Sequence, residues 1–396
     1  MHVLESYALQ NDLKIDTPHL YEKFFPLAID DYITIDTSGL GTSAMVYDHW
    51  QLIVNLIHPI LNKEGIKIIQ LGNKDCRPLS GCYNTLGQCN FNHKTYVIKK
   101  SLLHSSPNNE TSHIASSLNK PLVVLFPNNC YVSQFKPYWS NSSNVEICQA
   151  EMEYYRPTYS PSESPKSINR IKPEEVAEKI LKQLNLFKSP WEYRTIKVGS
   201  SFNTPRIESN LSHLIDSNKL GVSSLIVRMD LNFNEENLEK QLNACPCSII
   251  TSKSLSDHII DKYHNRIVEL VYYINDDHSP EFIKKVKSKS INYLLRTRKD
   301  DDSINDIKLD YLDYDLIHKI PQNTKKDFPE FEGKENIYYK STHSIIHNGK
   351  FYPSTAALTR LEHGSETMNH PAWEIIDEPL FWEEADHYHF LEKVVD

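Results

Sequence analysis

Short apolar runs alternate with amphipathic segments along the first 150 residues, and this alternation predicts strands that alternate with helices. The run Tyr32–Asp36 is β-branched and alternating, which is typical of a strand, and a turn of small residues over 37–43 follows it. An amphipathic helix is predicted from Tyr47 to Asn62, a second strand over 66–72 and a helix over 92–100. Repeated strand, turn and helix units indicate a parallel α/β domain.

The stretch Ser101–Phe126 contains the clearest of these units. Leu102 and Leu103 form a short apolar run that suits a buried strand, and Ser105–Asn109 is a polar turn. A helical pattern runs from Glu110 to Leu118, and the apolar run Leu122–Phe126 completes a βαβ unit.

The turn before this predicted helix is a candidate anion site. The first N–H groups of a helix have no partner inside it, and that end carries partial positive charge. Asn108, Asn109, Thr111 and Ser112 surround the end with short hydrogen-bonding groups, and His113 lies one turn further on. The residues alone equally allow an ordinary capped helix with a surface histidine.

The second half of the chain repeats the alternation after a proline-rich segment. Strands are predicted over 195–199, 224–228, 248–251 and 268–273, separated by helices, so we expect a second parallel layer. Arg228 and Asp230 fall where a strand ends and are the best polar candidates there. The alternative is a surface arginine followed by an aspartate that caps a helix.

With 396 residues the chain is too long for one core. The predicted organisation is a ligand-binding domain, a linker with a bridging helix, a second domain and an acidic, aromatic extension. Their boundaries are 1–155, 156–190, 191–325 and 326–396.

The string NNETSHIASSLNKPLVVLF, which begins at Asn108, resembles the donor-site segment of heptosyltransferase-like glycosyltransferases of the GT-B class. Asn108 stands where the family has Asp, Asn109 where it has Ser or Thr, Glu110 where it has Gly, and His113 matches the family's His. The resemblance is limited to residues 30–150. In the family, the loop after the first strand commonly carries a Lys or Arg, whereas 44–46 here contains none.

The resemblance implies a nucleoside diphosphate sugar as co-substrate, with no other cofactor. Four loops that follow predicted strands agree with such a ligand, because ligands of open α/β sheets bind at the carboxyl ends of the strands. The predicted binding residues in these loops are Ser38, Gly39, Thr42, Gly72, Asn84, Thr85, Leu86, Asn108, Asn109, Glu110, Ser112 and His113.

The implied fold is a pair of Rossmann-like parallel-sheet domains facing a cleft, with the donor-type domain first. The implied reaction transfers the sugar, with inversion, to a hydroxyl of an unidentified acceptor: a glycan, a lipid, a protein or a modified DNA base. It needs a general base and groups that take up the leaving charge. Asp230 and Glu208 are the candidate bases, and His113 with the turn amides would serve the leaving group.

Two alternatives stay open. The missing lysine and the Asn in place of Asp would suit a non-catalytic nucleotide-sugar-binding or scaffold protein of the same fold. A sugar epimerase of the same two-domain shape is the other.

Net charge and hydrophobicity argue against two further classes of protein, nucleic-acid-binding and membrane-spanning proteins. The net charge of −9 argues against general electrostatic binding of nucleic acid. No run approaches eighteen apolar residues and the first residues do not resemble a signal peptide, so we expect no membrane span and a cytoplasmic protein.

The seven cysteines do not suggest a disulfide framework. Cys76, Cys82, Cys89 and His93 lack the closely spaced first pair of a structural zinc site, so we predict no metal there. We likewise predict no metal at His387 and His389, because these two side chains share a side only in an extended segment.

Overall fold

The computed structural model describes residues 1–151, 156–221, 224–310 and 317–394. It contains two compact units, Met1–Trp191 and Glu192–Asp396. Within the described ranges, every helix is too short or too polar to cross a membrane.

The first unit contains a six-stranded sheet in which all neighbouring strands are parallel. Its strands are β1 (Tyr32–Asp36), β2 (Lys67–Leu71), β3 (Tyr83–Asn84), β4 (His104–Pro107), β5 (Leu122–Phe126) and β6 (Val145–Gln149). Their order across the sheet is β3-β2-β1-β4-β5-β6. The chain therefore runs outward in both directions from the β1/β4 pair, which is the topological switch point of the sheet.

Helices cover both faces of this sheet, which explains why every residue of β1 and of β5 is buried. Val123 and Leu125 of β5 pack in one core, whereas Leu122, Val124 and Phe126 pack in the core on the other face. The helices are α1 (Val3–Gln10), α2 (Trp50–Lys63), α3 (Phe91–Lys100), α4 (Glu110–Ser117), α5 (Val132–Phe135) and α6 (Pro173–Gln183).

The strand predicted at Leu102-Leu103 is wrong: the strand is β4, whose four polar and proline residues are all buried. Its histidine is satisfied inside the domain, because His104 Nδ1 lies 2.9 Å from Thr34 Oγ1 and Nε2 lies 3.0 Å from Thr111 Oγ1. Burial, together with the charge of Lys94, lowers the pKa of His104 to about 3. A neutral imidazole between two hydroxyls lets a polar segment form a central strand, and apolar patterning misses this.

The second unit contains two sheets. Its strands are β7 (Tyr193–Val198), β8 (Arg206–Ser209), β9 (Leu225–Arg228), β10 (Cys247–Thr251), β11 (Ile267–Tyr273), β12 (Tyr293–Thr297), β13 (Ile317–Lys319), β14 (Ile337–Ser341), β15 (His343–His347), β16 (Lys350–Tyr352), β17 (Trp373–Glu374) and β18 (Tyr388–Lys393). The larger sheet has the order β13-β12-β11-β10-β9-β8-β15-β16, parallel except at β16, and the smaller antiparallel sheet has the order β17-β14-β18-β7.

The acidic, aromatic tail supplies strands to both sheets of the second unit. Phe381, Trp382 and Phe390 lie in an aromatic core with Tyr339 of β14. The helices of this unit are α7 (Ser217–Leu220), α8 (Glu235–Ala244), α9 (Asp257–Tyr263), α10 (Pro280–Ser288), α11 (Asp301–Asp310), α12 (Thr355–Arg360) and α13 (Pro379–Trp382). The predicted mixed α/β class with Rossmann-like parallel sheets is confirmed.

Candidate functional site

The switch point of the first sheet brings together two of the predicted loops. Strands β1 and β4 are neighbours, with Ile35 opposite Ser105, so the residues after each strand leave the same edge of the sheet. Asn109 Nδ2 donates a hydrogen bond to the carbonyl oxygen of Ser38, at 2.9 Å. Ligands of such sheets bind at this place.

A buried carboxylate shapes the loop after β1. Asp36 is fully buried, and its Oδ1 accepts hydrogen bonds from Ser38 N at 2.8 Å and from Ser38 Oγ at 2.5 Å. Its Oδ2 has no hydrogen-bond partner in the described part of the chain and lies 3.8 Å from Lys94 Nζ. Gly39 and Thr42 follow in the same loop.

Lys94 is a site residue that the sequence analysis missed. Its side chain is 7% exposed, and its Nζ lies 2.5 Å from Glu110 Oε1. Burial alone would lower the pKa of Lys94, but the carboxylates of Asp36 and Glu110 outweigh burial and raise the pKa. The available signal was helical spacing, because Lys94 shares the inward face of α3 with Val97 and Ile98.

The start of α4, which we predicted to be an anion site, is already capped by a side chain. Asn109 Oδ1 accepts hydrogen bonds from the backbone N–H groups of Thr111 and Ser112, at 3.1 and 3.2 Å, and from Thr111 Oγ1 at 2.7 Å. A diphosphate can therefore use these two amides only if the Asn109 side chain moves, so a ligand must be held mainly by other groups.

Three buried amide oxygens stand near the ends of β4 and β5 without a hydrogen-bond partner in the described chain: Oδ1 of Asn108, Asn128 and Asn129. Asn108 directly follows β4, whereas Asn128 and Asn129 follow β5 after Pro127. Buried polar groups are almost always hydrogen-bonded, to protein or to water. These oxygens are free to accept hydrogen bonds from ordered water or from the hydroxyl groups of a ligand.

The loops after β2 and β3 form a closed turn beside this site. Gly72 has a φ of 149°, a conformation that favours glycine, and an added Cβ would lie 2.9 Å from a methyl of Leu86. Thr85 donates to the carbonyl oxygen of Gln70 through both N and Oγ1, and Asn84 Oδ1 accepts from Leu86 N. These polar groups serve the loop itself.

His113 lies on α4 and is partly buried. Burial and the nearby charge of His2 lower the pKa of His113. Among the described residues, its ring makes no hydrogen bond to the Asn108–Glu110 turn. Ser112 is buried, and its Oγ donates to the Asn109 carbonyl oxygen.

Glu208, one of the two candidate bases, lies on β8 and is completely buried. Its oxygens lie 2.6 Å from Arg206 Nε, 2.8 Å from Arg228 Nη1 and 3.1 Å from His343 Nε2. Burial would raise the pKa of Glu208, but His343 and the arginines lower it well below its usual range. A buried carboxylate with three cationic partners is poorly suited to accept a proton from a ligand.

Asp230, the other candidate base, lines a cavity in the second unit. Both of its oxygens accept hydrogen bonds from Arg228, at 2.8 Å each. Arg228 and Asp230 are brought together as the sequence suggested, in a cavity of about 420 Å³.

The described residues contain no group of three His, Cys, Asp or Glu side chains arranged to hold a metal ion. The seven cysteines are free thiols, and burial raises the pKa of Cys82 to about 12. A deprotonated thiolate, the form that binds metals, is disfavoured there.

No family model and no curated protein sequence matches the chain. Among solved structures, the protein is similar to ADP-heptose LPS heptosyltransferase II of Escherichia coli, with 17% identity and a TM-score of 0.31 over 46% of this chain and 51% of that chain. A family 9 glycosyltransferase from Veillonella parvula matches with 12% identity and a TM-score of 0.30 over 39% and 46% of the chains. MurG of Acinetobacter baumannii matches with 10% identity and a TM-score of 0.21 over 73% and 86%.

The chain thus spans about half the length of the heptosyltransferase that it matches. The resemblance to heptosyltransferases that the sequence suggested is confirmed for a part of the chain.

Proposed function

We propose that the first unit binds a nucleoside diphosphate sugar at the β1/β4 switch point, and that the protein transfers the sugar to an acceptor hydroxyl with inversion. The observation that carries the proposal is the buried ammonium of Lys94, which lies beside the loops that the Asn109–Ser38 hydrogen bond joins. A parallel sheet of this strand order offers nucleotides a crevice at that point.

Lys94 supplies the positive charge that a leaving diphosphate requires. Its partner Glu110 has a side chain that is 45% exposed, whereas Asp36 is fully buried. The Glu110 carboxylate can therefore turn into water when a phosphate approaches, because an exposed carboxylate regains its hydration at little cost. The Asp36 carboxylate stays and keeps the ammonium in place.

The amide oxygens of Asn108, Asn128 and Asn129 suit the hydroxyl groups of such a ligand. Each is a buried acceptor without a partner in the described chain. A ribose or a sugar presents several hydroxyl donors, whereas a phosphate presents acceptors only. Under this proposal the phosphates lie toward Lys94 and the hydroxyls toward the three asparagines.

A non-catalytic nucleotide-sugar-binding protein is the second candidate, and a specific observation favours it. The ammonium of Lys94 faces two carboxylates, so the group formed by Asp36, Glu110 and Lys94 has a net charge of −1. The amides of Thr111 and Ser112 are also occupied. Both features reduce the stabilisation that is available to a leaving group.

Calorimetric titration with ADP, UDP and GDP tests nucleotide binding. We expect at least one of them to saturate the wild-type protein and to bind at least tenfold more weakly to Lys94→Met, since tenfold corresponds to about 1.4 kcal/mol. Lys99→Met is the matched control, because Lys99 lies on the same helix with an exposed side chain paired to Glu22. Equal affinities in all three proteins would contradict the proposal.

A measurement of turnover distinguishes the glycosyltransferase from the non-catalytic nucleotide-sugar-binding protein. The protein is incubated with sugar nucleotides of the bases that bind, and nucleoside diphosphate release is measured with and without candidate acceptors. Release that depends on an acceptor supports the transferase, and binding without any release supports the non-catalytic protein.

A further inference from the structure

The second unit contains a cavity of about 420 Å³ that is separate from the site described above. It lies at the carboxyl ends of five adjacent parallel strands, β9 to β13, where ligands of such sheets bind. Residues of α12 and α13 complete its wall, through Thr355 and Leu380.

Every cation that lines this cavity is paired with a carboxylate. Arg228 contacts Glu208 and Asp230, as given above. Arg298 forms a two-pronged contact with Glu383, at 2.7 and 2.9 Å. Lys299 Nζ lies 2.5 Å from Asp276 Oδ1. The cavity therefore presents no uncompensated charge to an anion or to a cation.

Hydrogen-bonding capacity nevertheless remains in the cavity wall. Each Asp230 oxygen accepts one hydrogen bond from Arg228 and has a further lone pair. The hydroxyls of Ser252 and Tyr273 line the cavity and have no hydrogen-bond partner within the described residues. The groups that remain free to bond a ligand are therefore the Asp230 carboxylate, as an acceptor, and the hydroxyls of Ser252 and Tyr273.

The apolar residues Leu231, Ile274, Ile320 and Leu380 also line the cavity. The remaining lining residues are polar, and each side chain already has a partner within the protein: Asn275 with the Ser252 carbonyl oxygen, Asp276 with Lys299, Thr297 with the Ile274 carbonyl oxygen and Thr355 with Glu384. A ligand that fits this wall is uncharged, carries several hydroxyl groups and has apolar C–H faces. Sugars have this combination.

We propose that this cavity binds an uncharged sugar residue, with the paired Arg228 and Asp230 side chains as its polar floor. Binding itself does not depend on the function proposed for the first unit. The further assignment of this sugar as part of a glycan acceptor rests on that function, and it favours a glycan over a protein or a DNA base.

The test is ligand-observed NMR on the full chain, with glucose, galactose, N-acetylglucosamine and maltose as probes and with glucose 6-phosphate and glucuronate as charged counterparts. We expect saturable binding of at least one neutral sugar, and about tenfold weaker binding to Asp230→Asn, which weakens the acceptor. Leu380→Phe narrows the cavity from a partly exposed position and should weaken binding by a similar factor.

Leu309→Phe is the matched control, because Leu309 is an exposed leucine of α11 that does not line the cavity. It should leave sugar binding unchanged. Sugar binding by a wild-type protein that binds no nucleotide would overturn only the function proposed for the first unit.

Three results would overturn the inference about the cavity. These are no saturable binding of any neutral sugar, unchanged sugar affinity in Leu380→Phe, and binding of the charged counterparts alone with an affinity that falls as salt is added. The third result would instead assign an anion to Lys299, whose partner Asp276 has a side chain that is 93% exposed.

Discussion

Asn109 Nδ2 and the Ser38 carbonyl oxygen are joined by a hydrogen bond of 2.9 Å across the switch point of the first sheet. The oxygen of the same Asn109 side chain caps α4. One amide therefore orders two elements, the loop after β1 and the start of α4.

Replacing Asn109 by Ala removes the cap and the contact to Ser38. We expect the free energy of unfolding to fall by about 1–2 kcal/mol, as for other lost N-caps. Asn109→Ser keeps a capping oxygen but has no amide group to donate to Ser38, so its loss of stability should be smaller. Denaturant unfolding checks the order of the two variants, and equal losses would contradict the double role.

Replacing Lys94 by Met leaves the buried Asp36 carboxylate without its cation. Breaking a buried pair on one side costs on the order of 3 kcal/mol, because the remaining charge stays uncompensated. The double variant Lys94→Met with Asp36→Asn should recover part of this stability without recovering nucleotide affinity. If stability and affinity recover together, Lys94 is only a structural residue.

Replacing Glu110 by Gln removes one of the two carboxylates that face Lys94. We expect nucleoside diphosphates to bind about three- to tenfold more tightly, because the ligand no longer competes with an anion for the ammonium. Glu22→Gln is the matched control, since Glu22 pairs with the exposed Lys99. Weaker or unchanged binding to Glu110→Gln in calorimetry would contradict the proposal that the diphosphate replaces Glu110 as the partner of Lys94.

The buried cluster in the second unit predicts a pH dependence of stability. Burial would lower the pKa of His343, but Glu208 and Glu384 raise it to about 9, from an ordinary value of 6.5. A raised pKa in the folded state stabilises the protein fully below pH 6.5, and this contribution is lost as the pH rises toward 9. We expect a loss on the order of 1–3 kcal/mol across that window.

Unfolding by denaturant between pH 6 and pH 9.5 measures this dependence. His343→Gln should flatten the profile, whereas His258→Gln, which changes an exposed histidine beside Glu239, should not. A steep profile that persists in His343→Gln would assign the dependence to another group.

The pattern of apolar residues predicted much of the fold, because strands that are buried on both faces consist mostly of apolar residues. The bounds predicted for β1 and β5, at Tyr32–Asp36 and Leu122–Phe126, are those of the structure. Strand β4 was misplaced, since its buried histidine is satisfied by a contact that joins distant segments, that of His104 with Thr34. Patterning along the chain cannot show such contacts.

The candidate site was predictable only in part. The loops after β1 and β4 were found because they follow strands that meet at one edge of the sheet. Lys94 was missed because a lysine inside an amphipathic helix is ordinarily a solvated residue, and only the approach of α3 to Asp36 and Glu110 makes it a buried cation. The capping of α4 by Asn109 depends on side-chain geometry, so the sequence could not show that the Thr111 and Ser112 amides are occupied.

The most direct test of the central claim is a crystal structure of the protein soaked with the nucleoside diphosphate that binds best in the titrations. We expect electron density for a diphosphate within hydrogen-bonding distance of Lys94 Nζ, at the edge formed by the ends of β1 and β4, with the Glu110 carboxylate turned away. A diphosphate bound elsewhere, or an empty switch point at a saturating concentration, would contradict this claim.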